Sequence, residues 1–445
     1  MATAMLPFFL SLVSLCLINA NGVNSFEKKM FNMQMLQKKQ QLGTQGCLLP
    51  ESKREYNSII LEMKDRGHCS EKKIDWTKRL QKQLILDELR VRSIQNRIRK
   101  ISSSHNVEAS QTQIPLASGV NLQTLNYIVT MGLDKQNMTV IVDTGSDLTW
   151  VQCEPCMSCY NQQGPVFKPS TSSSYQSVSC NSSTCQSLRL ATGNTGACGR
   201  NPSTCNYEVN YGDGSYTNGD LVSGLMGLGR SKLSLVSQTI ATFGGVFSYC
   251  LPTTEAAASG SLVMGNESSV FNNVTPISYT RMLTNPQLSS FYILNLTGMD
   301  VGGVALLAPS FGSGGIMIDS GTVITRLPSS VYKALKAEFL KQFSGFPPAP
   351  GFSILDTCFN LTGYDEVSIP TINMHFEDNA ELNVDATGIF YMVKEDASQV
   401  CLAISSLSDP YDTAIIGNYQ QRNQRVIYDT KQSKVGFAVE QCSFS

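Results

Sequence analysis

The sequence predicts an all-β protein, mainly strands with a few surface helices. From about Leu122 onward, short alternating apolar runs recur between Gly, Asn, Ser and Pro: NYIVTMGL, MTVIVD, FYILNLTGMDVGG, GIMIDSG, GIFYMV, QVCLAI, TAIIGN and RVIYDT. Only two stretches of that region carry helical periodicity, residues 232–243 (KLSLVSQTIATF) and 328–343 (PSSVYKALKAEFLKQF), with Pro328 well placed for a helix start. The third observation is a doubled motif. Residues 141–150 read IVDTGSDLTW, and about 175 positions later residues 316–326 read IMIDSGTVITR.

The chain has 445 residues, 42% hydrophobic and 16% charged, with 14 Cys. That length exceeds a single small core, and the cysteine content fits an oxidising compartment. Residues 6–18 form an apolar core of signal-peptide length, too short for a confident membrane span, and Ile18-Asn19-Ala20 suits cleavage, so residues 1–20 are expected to be a signal peptide. An uncleaved anchor is the alternative. Sequons at Asn137, Asn181, Asn266, Asn273, Asn295 and Asn360 agree with a secretory route to the extracellular space, cell wall or vacuole.

Charge divides the chain. Residues 21–100 hold 18 Lys+Arg against 9 Asp+Glu, and the remainder holds 16 against 26. The basic part includes a helical pattern in which Leu80, Leu84, Val91, Ile94 and Ile98 recur, followed by a polar, Ser-rich linker. After a signal peptide, a basic arm on an acidic body is read as an inhibitory propeptide rather than a nucleic-acid tail. Protonation of body carboxylates would release it in acid.

Each half of the doubled motif places an Asp where a buried strand runs into a loop, and a carboxylate there is costly unless hydrogen-bonded. Gly145 and Gly321 let the backbone turn tightly and bring amides toward Asp143 and Asp319. Ser146 and Thr322 can donate to the outer oxygen of their own Asp, while Thr144 and Ser320 can reach the opposite loop. Two facing loops of this kind bring two carboxylates into contact, so they share a proton. The ionised one activates a water and the protonated one polarises a carbonyl. With three His in the chain, His68, His105 and His375, a Ser-His-Asp or Cys-His arrangement has little to work with, and no HExxH motif supports a metal. No cofactor is expected. Residues 153–159, CEPCMSC, superficially match a zinc knuckle, but disulfides suit a secreted chain better. A retaining glycosidase also uses two carboxylates, without needing paired Asp-small-Gly-small loops.

DTGS at Asp143 and DSGT at Asp319 resemble the two active-site loops of pepsin-type aspartic proteases. YGDGSYT, residues 211–217, resembles the flap hairpin of that family, with Tyr211 at its substrate-facing position and Trp150 placed to hydrogen-bond it. SGLMGLG and AIIGN resemble the strands that pass behind each loop. The cysteine-rich insert from Cys153 to Cys205, with SKLSLVSQ, FSYCLP and GNYQQRNQRVIYDT, is similar to the plant nepenthesin-like subfamily. The resemblance implies a bilobal fold with one Asp per lobe: propeptide 21–117, N-terminal lobe 118–278 and C-terminal lobe 279–445. It implies a monomeric zymogen that cleaves proteins or peptides at acidic pH, with its own propeptide and pepstatin-type inhibitors as partners and neither nucleic acid nor a membrane anchor.

The family pattern joins Cys153 to Cys156, Cys180 to Cys205, Cys185 to Cys198, Cys250 to Cys442 and Cys358 to Cys401, leaving Cys159 unpaired among the eleven cysteines of the body. One departure stands out: after the flap, Asn218-Gly219-Asp220-Leu221 leads almost directly to Ser223, where relatives carry on the order of two or three more strands. A complete dyad on a shortened lobe leaves two alternatives to an active protease, a protease-like binding or inhibitor protein and a folding-impaired isoform.

Overall fold

The computed structural model describes residues 26–33, 52–55, 58–65, 76–102 and 127–442, the last with short interruptions. The expected signal peptide, Tyr211 and Asn273 lie outside the described residues. Strands β1 (Lys28–Asn32), β2 (Ser52–Glu55) and β3 (Ser58–Asp65) precede one long helix, α1 (Trp76–Ser102). The body then runs through β4 (Tyr127–Leu133), β5 (Gln136–Ile141), β6 (Cys205–Asn210), β7 (Tyr216–Asp220), β8 (Val246–Cys250), β9 (Gly260–Met264) and β10 (Ser278–Arg281). Next come β11 (Ile316–Ile318), β12 (Thr325–Leu327), α2 (Ser329–Gln342), β13 (Glu366–Pro370), β14 (Ile404–Ser406), β15 (Ala414–Ile416), β16 (Gln424–Asp429) and β17 (Lys434–Val439).

The two halves of the chain share a nine-stranded sheet in the order β10-β17-β16-β8-β9-β3-β4-β5, with β2 paired onto β3. β16 and β8 join the halves from Arg425↔Cys250 to Asp429↔Val246, and the Cys250–Cys442 disulfide ties them again. Behind this seam Phe247, Tyr292 and Tyr428 pack ring on ring, with 4.5 Å between the stacked centroids of Phe247 and Tyr428. A second, five-stranded sheet runs Ile293–Leu294, β11, β15, β12, β14 and carries the second motif. Its pairs β11·β15 and β12·β14 are parallel and its strands are buried, so they read as continuous apolar runs.

The segment before α1 is woven into the sheets of the body. β3 lies between β9 and β4, registered from Gly260↔Met63 to Met264↔Ile59 on one side and Lys64↔Ile128 on the other. Ile60, Leu61 and Met63 are buried there. β1 likewise pairs β13 across five residues. The stretch expected to be one helix over residues 232–243 is two short ones, Leu235–Gln238 and Ile240–Phe243. Ser234 caps the first through the Ser237 amide, and the break falls at Thr239. α2 begins after Pro328 as expected and buries Leu335 and Phe339.

Three disulfide expectations are corrected. Cys156 pairs with Cys159, leaving Cys153, held in a bridge to Phe167, as the free thiol among the described residues instead of Cys159. Cys180 pairs with Cys198 and Cys185 with Cys205, not Cys180 with Cys205 and Cys185 with Cys198. The physical reason is burial. The short helix Ser183–Gln186 turns Cys185 inward onto fully buried Cys205, leaving the more exposed Cys180 and Cys198 to each other. Cys358 is joined to Cys401 across adjacent strands.

Candidate active site

β5 and β11 each lead into one of the two Asp loops. In the first, Asp143 accepts from the Gly145 amide at 3.0 Å and from the Ser146 hydroxyl at 2.8 Å. In the second, Asp319 accepts from the Gly321 amide at 2.9 Å and the Thr322 hydroxyl at 2.6 Å. The loops interlock through their middle residues. The Ser320 amide donates to Thr144 Oγ1 at 2.9 Å, the Thr144 amide donates to Ser320 Oγ at 3.1 Å, and the Ser320 hydroxyl continues to the Val142 carbonyl. Thr144 and Ser320 are both fully buried, so these bonds have no competing water.

The two glycines do more than turn the chain. A Cβ on Gly145 would lie 2.6 Å from Asp319 Oδ1, and one on Gly321 would lie 2.4 Å from Asp143 Oδ1. Each carboxylate therefore occupies the space that a side chain on the opposite loop would need. Behind the second loop β15 pairs in parallel with β11, its Ile416 carbonyl accepting from the Asp319 amide at 3.1 Å, and Asn418 donates to the Ser320 carbonyl. Behind the first, the amides of Leu228 and Gly229 donate to the carbonyls of Asp143 and Ser146. Trp150 packs against the nearby cluster of Leu148, Leu188 and Tyr207. β6 and β7 form a hairpin with Asn210 opposite Tyr216, and the tip between them, with Tyr211, lies outside the described residues.

α1 lies across both loops. Its Arg90 Nη2 donates to Asp143 Oδ1 at 2.6 Å and to Asp319 Oδ2 at 3.0 Å, so one guanidinium nitrogen bridges the two carboxylates. Burial works against this charge, but the attraction of both aspartates outweighs it and raises the Arg90 pKa. Burial, reinforced by the neighbouring Asp319, raises the Asp143 carboxyl above 3.8 against the pull of Arg90 and Ser146. Burial also pushes Asp319 up, but Arg90, the Thr322 hydroxyl and the Gly321 amide outweigh it and hold Asp319 below 3.8.

The rest of α1 is anchored on either side of Arg90. Leu80 and Leu84 pack with Val323, Ile324 and Tyr419, and Val91 and Ile94 with Phe291, Met317 and Ile415. Asp87 accepts from the amides of Val323 and Ile324 and from Arg326. Gln95 exchanges two hydrogen bonds with the Thr413 backbone. Arg97 donates to buried Asp147 at 2.8 Å and lies over the Phe291 ring, and Arg99 reaches Asp409 and Asp412.

The amphipathic pattern of α1 was legible from Leu80 to Ile98, but Asp87, Arg90 and Arg97 were not singled out. They sit at i, i+3 and i+10, on the face that also carries Ile94, and charges interrupting an apolar helical stripe were the available signal. Of the sequons, Asn137, Asn181 and Asn266 are exposed and Asn360 is half-buried. Asn295 donates its amide nitrogen to Glu377 at 2.6 Å, which engages the atom a glycan would need.

Two family signatures match the chain. That described as xylanase inhibitor C-terminal covers residues 291–439, and that described as xylanase inhibitor N-terminal covers 127–223 and 221–266. An aspartyl protease family protein of Arabidopsis thaliana is 43% identical over 396 residues, 81% of this chain and 82% of that protein. The chain belongs to the plant pepsin-like aspartic protease family. Aspartic proteinase nepenthesin-1 of Nepenthes gracilis is 34% identical, covering 75% of this chain and 81% of that relative. Among solved structures, edgp superposes with a TM-score of 0.52 at 20% identity, over 73% of this chain and 93% of that one. Basic 7S globulin from soybean gives 0.52 at 18% identity, over 71% and 92%. At those identities the two structures speak to the fold alone, the bilobal pepsin-like one. Among the described residues, no helix is long and apolar enough to cross a membrane.

Proposed function

We infer that the chain is an aspartic endopeptidase made as a zymogen, with Asp143 and Asp319 as its acid–base pair and α1 as the inhibitory segment. The observation that carries this is the single Arg90 nitrogen on both carboxylates. Water and a substrate carbonyl need that same point, so the closed chain cannot turn over. Once α1 leaves, a water held between the carboxyls loses its proton to the ionised one while the protonated one donates to the scissile carbonyl. The tetrahedral intermediate forms without a covalent enzyme adduct. Thr144 and Ser320 fix the spacing of the loops, and Ser146 and Thr322 stabilise the ionised oxygens. The substrates are proteins or peptides, in keeping with the names of the relatives. A secretory route rests on the apolar residues 6–18, the sequons and the disulfides.

The test is hydrolysis of denatured protein by the acid-treated chain, with and without pepstatin, in wild type, Asp143→Asn and Asp319→Asn. Activity that pepstatin and either substitution abolish is expected. Undiminished hydrolysis by Asp319→Asn would remove the dyad from the mechanism.

A folding-impaired form is the second reading, and one observation favours it. The N-terminal signature matches in two pieces that meet at residues 221–223, where the sequence moves directly from the flap to SGLMGLG. A single cooperative melt of the purified chain is expected if the lobe is intact, and a broad, non-cooperative one if it is not.

A further inference from the structure

Arg326, on β12, is one of the largest fully buried side chains of the molecule. Its Nη1 donates to the Ile324 carbonyl at 2.7 Å, and its Nη2 donates to Asp87 Oδ2 at 3.0 Å, with Glu88 at the margin at 3.4 Å. Asp87 also receives the Val323 amide on Oδ1 at 2.6 Å and the Ile324 amide on Oδ2 at 3.2 Å. Three donors thus converge on the two oxygens of one carboxylate, and all three belong to the segment that follows the Asp319 loop. The carboxylate of Asp87, with Glu88 at the margin, comes from α1.

Departure of α1 leaves those donors facing the emptied cleft. A buried guanidinium stripped of its carboxylate is costly, and two backbone amides beside it add to the cost. Asp87 precedes Arg90 by three residues, about 4.5 Å along the helix axis. The donors lie on residues 323–326, which follow Asp319 directly in the chain, so the site adjoins the second Asp loop.

We propose that the Val323 and Ile324 amides and Arg326 form a carboxylate-binding subsite of the open cleft, which selects an Asp or Glu side chain of the substrate near the scissile bond. Asp87 occupies it in the closed chain as a substrate-like ligand. The subsite rests on the protease reading, and it adds to that reading a preference for acidic substrate residues on one side of the cut. Carboxylate recognition by one guanidinium nitrogen and two amides favours Glu over Gln, because a neutral amide leaves the guanidinium uncompensated.

The test uses the acid-processed protein and paired quenched peptides that differ only by Glu or Gln, moved through each position around one cleavage site. At one position near the cut, kcat/KM for Glu is expected to exceed that for Gln by about tenfold or more at pH 5 to 6. The ratio is expected to fall toward one as the Glu side chain protonates near pH 4. In Arg326→Met the ratio is expected to fall to near one at all pH values, whatever the absolute rate. Arg326→Lys, which keeps the charge and loses the fork, should give an intermediate ratio. Cleavage of both peptides at equal rates at every position overturns the subsite while leaving the dyad intact. If no peptide is cleaved, the dyad reading fails separately, and binding of the same pairs by fluorescence anisotropy decides the subsite: tighter binding of one Glu peptide supports it and equal binding overturns it.

Discussion

At the residue scale the site depends on absences as much as on groups. Gly145 and Gly321 are small because a carboxylate from the other loop fills the space beside each. A methyl group at either position would move an Asp by a substantial fraction of an ångström, and misplacement of about 1 Å at a reacting group costs on the order of 10²-fold in rate. Gly321→Ala is therefore expected to lower kcat/KM of the opened enzyme by about that factor with a smaller effect on the melt. Equal activity in the variant, measured on the same peptide, would show that the loops do not interlock as tightly as the distances indicate. These residues were legible beforehand, because the chemistry needs one particular set of small and hydroxylated neighbours around each Asp. Arg90 was not, since nothing local in its sequence separates it from Arg92, which points outward with 66% of its side chain exposed.

At the scale of the element, apolar contacts and ion pairs hold α1 with different strengths. Burial of Leu80, Leu84, Val91 and Ile94 contributes roughly 1.5–3 kcal/mol each before ordering costs. The Arg99 pairs with Asp409 and Asp412 are half exposed and contribute about 0–1 kcal/mol. Leu84→Ala is thus expected to weaken the closed state by about 2–5 kcal/mol and Arg99→Ala by under about 1 kcal/mol, as read from hydrogen exchange of the α1 amides. The reverse order would contradict the packing account.

The pH dependence of the helix follows from Asp319. Its carboxyl is held below 3.8 when α1 is docked, so its stabilising contribution is complete above about pH 4. It is lost as pH falls through the depressed value. Asp143 and Asp87, both raised by burial, behave oppositely, because protonation relieves the cost of burying them charged. The Asp319 contribution to holding α1 is accordingly expected to be lost below about pH 4, checked by comparing proteolytic susceptibility of α1 in wild type and Asp319→Asn across that range. Susceptibility that peaks near neutrality would place the trigger elsewhere.

At the scale of the whole molecule, the basic arm is built into the body as well as laid over it. The charge pattern predicts an inhibitory propeptide over residues 21–117, and within it β3 is hydrogen-bonded on both sides inside the shared sheet. Its run SIILEMKD is short, and a strand buried on both edges is distinguished from a helical fragment only by its partners, which lie about 70 and 200 positions away in the chain. The same limit explains the disulfides: which cysteine of a close set faces inward depends on the turn of one short helix. The duplicated loops and the all-β texture were readable because their signals are local. A chain expressed from residue 103 onward would leave β4 and β9 without the strand between them, exposing two ladder edges. It is expected to aggregate, while the full chain remains soluble and melts cooperatively. A soluble, cooperative truncated chain would show that another segment can take the place of β3.

The central claim is that Arg90 closes an otherwise competent Asp pair, and Arg90→Met tests it most directly. Pepstatin-sensitive cleavage of a quenched peptide would be followed at pH 5 to 6, before and after brief exposure to pH 3, in the full-length wild type and the variant. The wild type is predicted to be silent until acid treatment, whereas Arg90→Met turns over without it, because at pH 5 to 6 its helix must dock over two buried carboxylates with no cation between them. A variant that stays silent until acid treatment, just as the wild type does, would mean that Arg90 is a bystander and that something else closes the cleft.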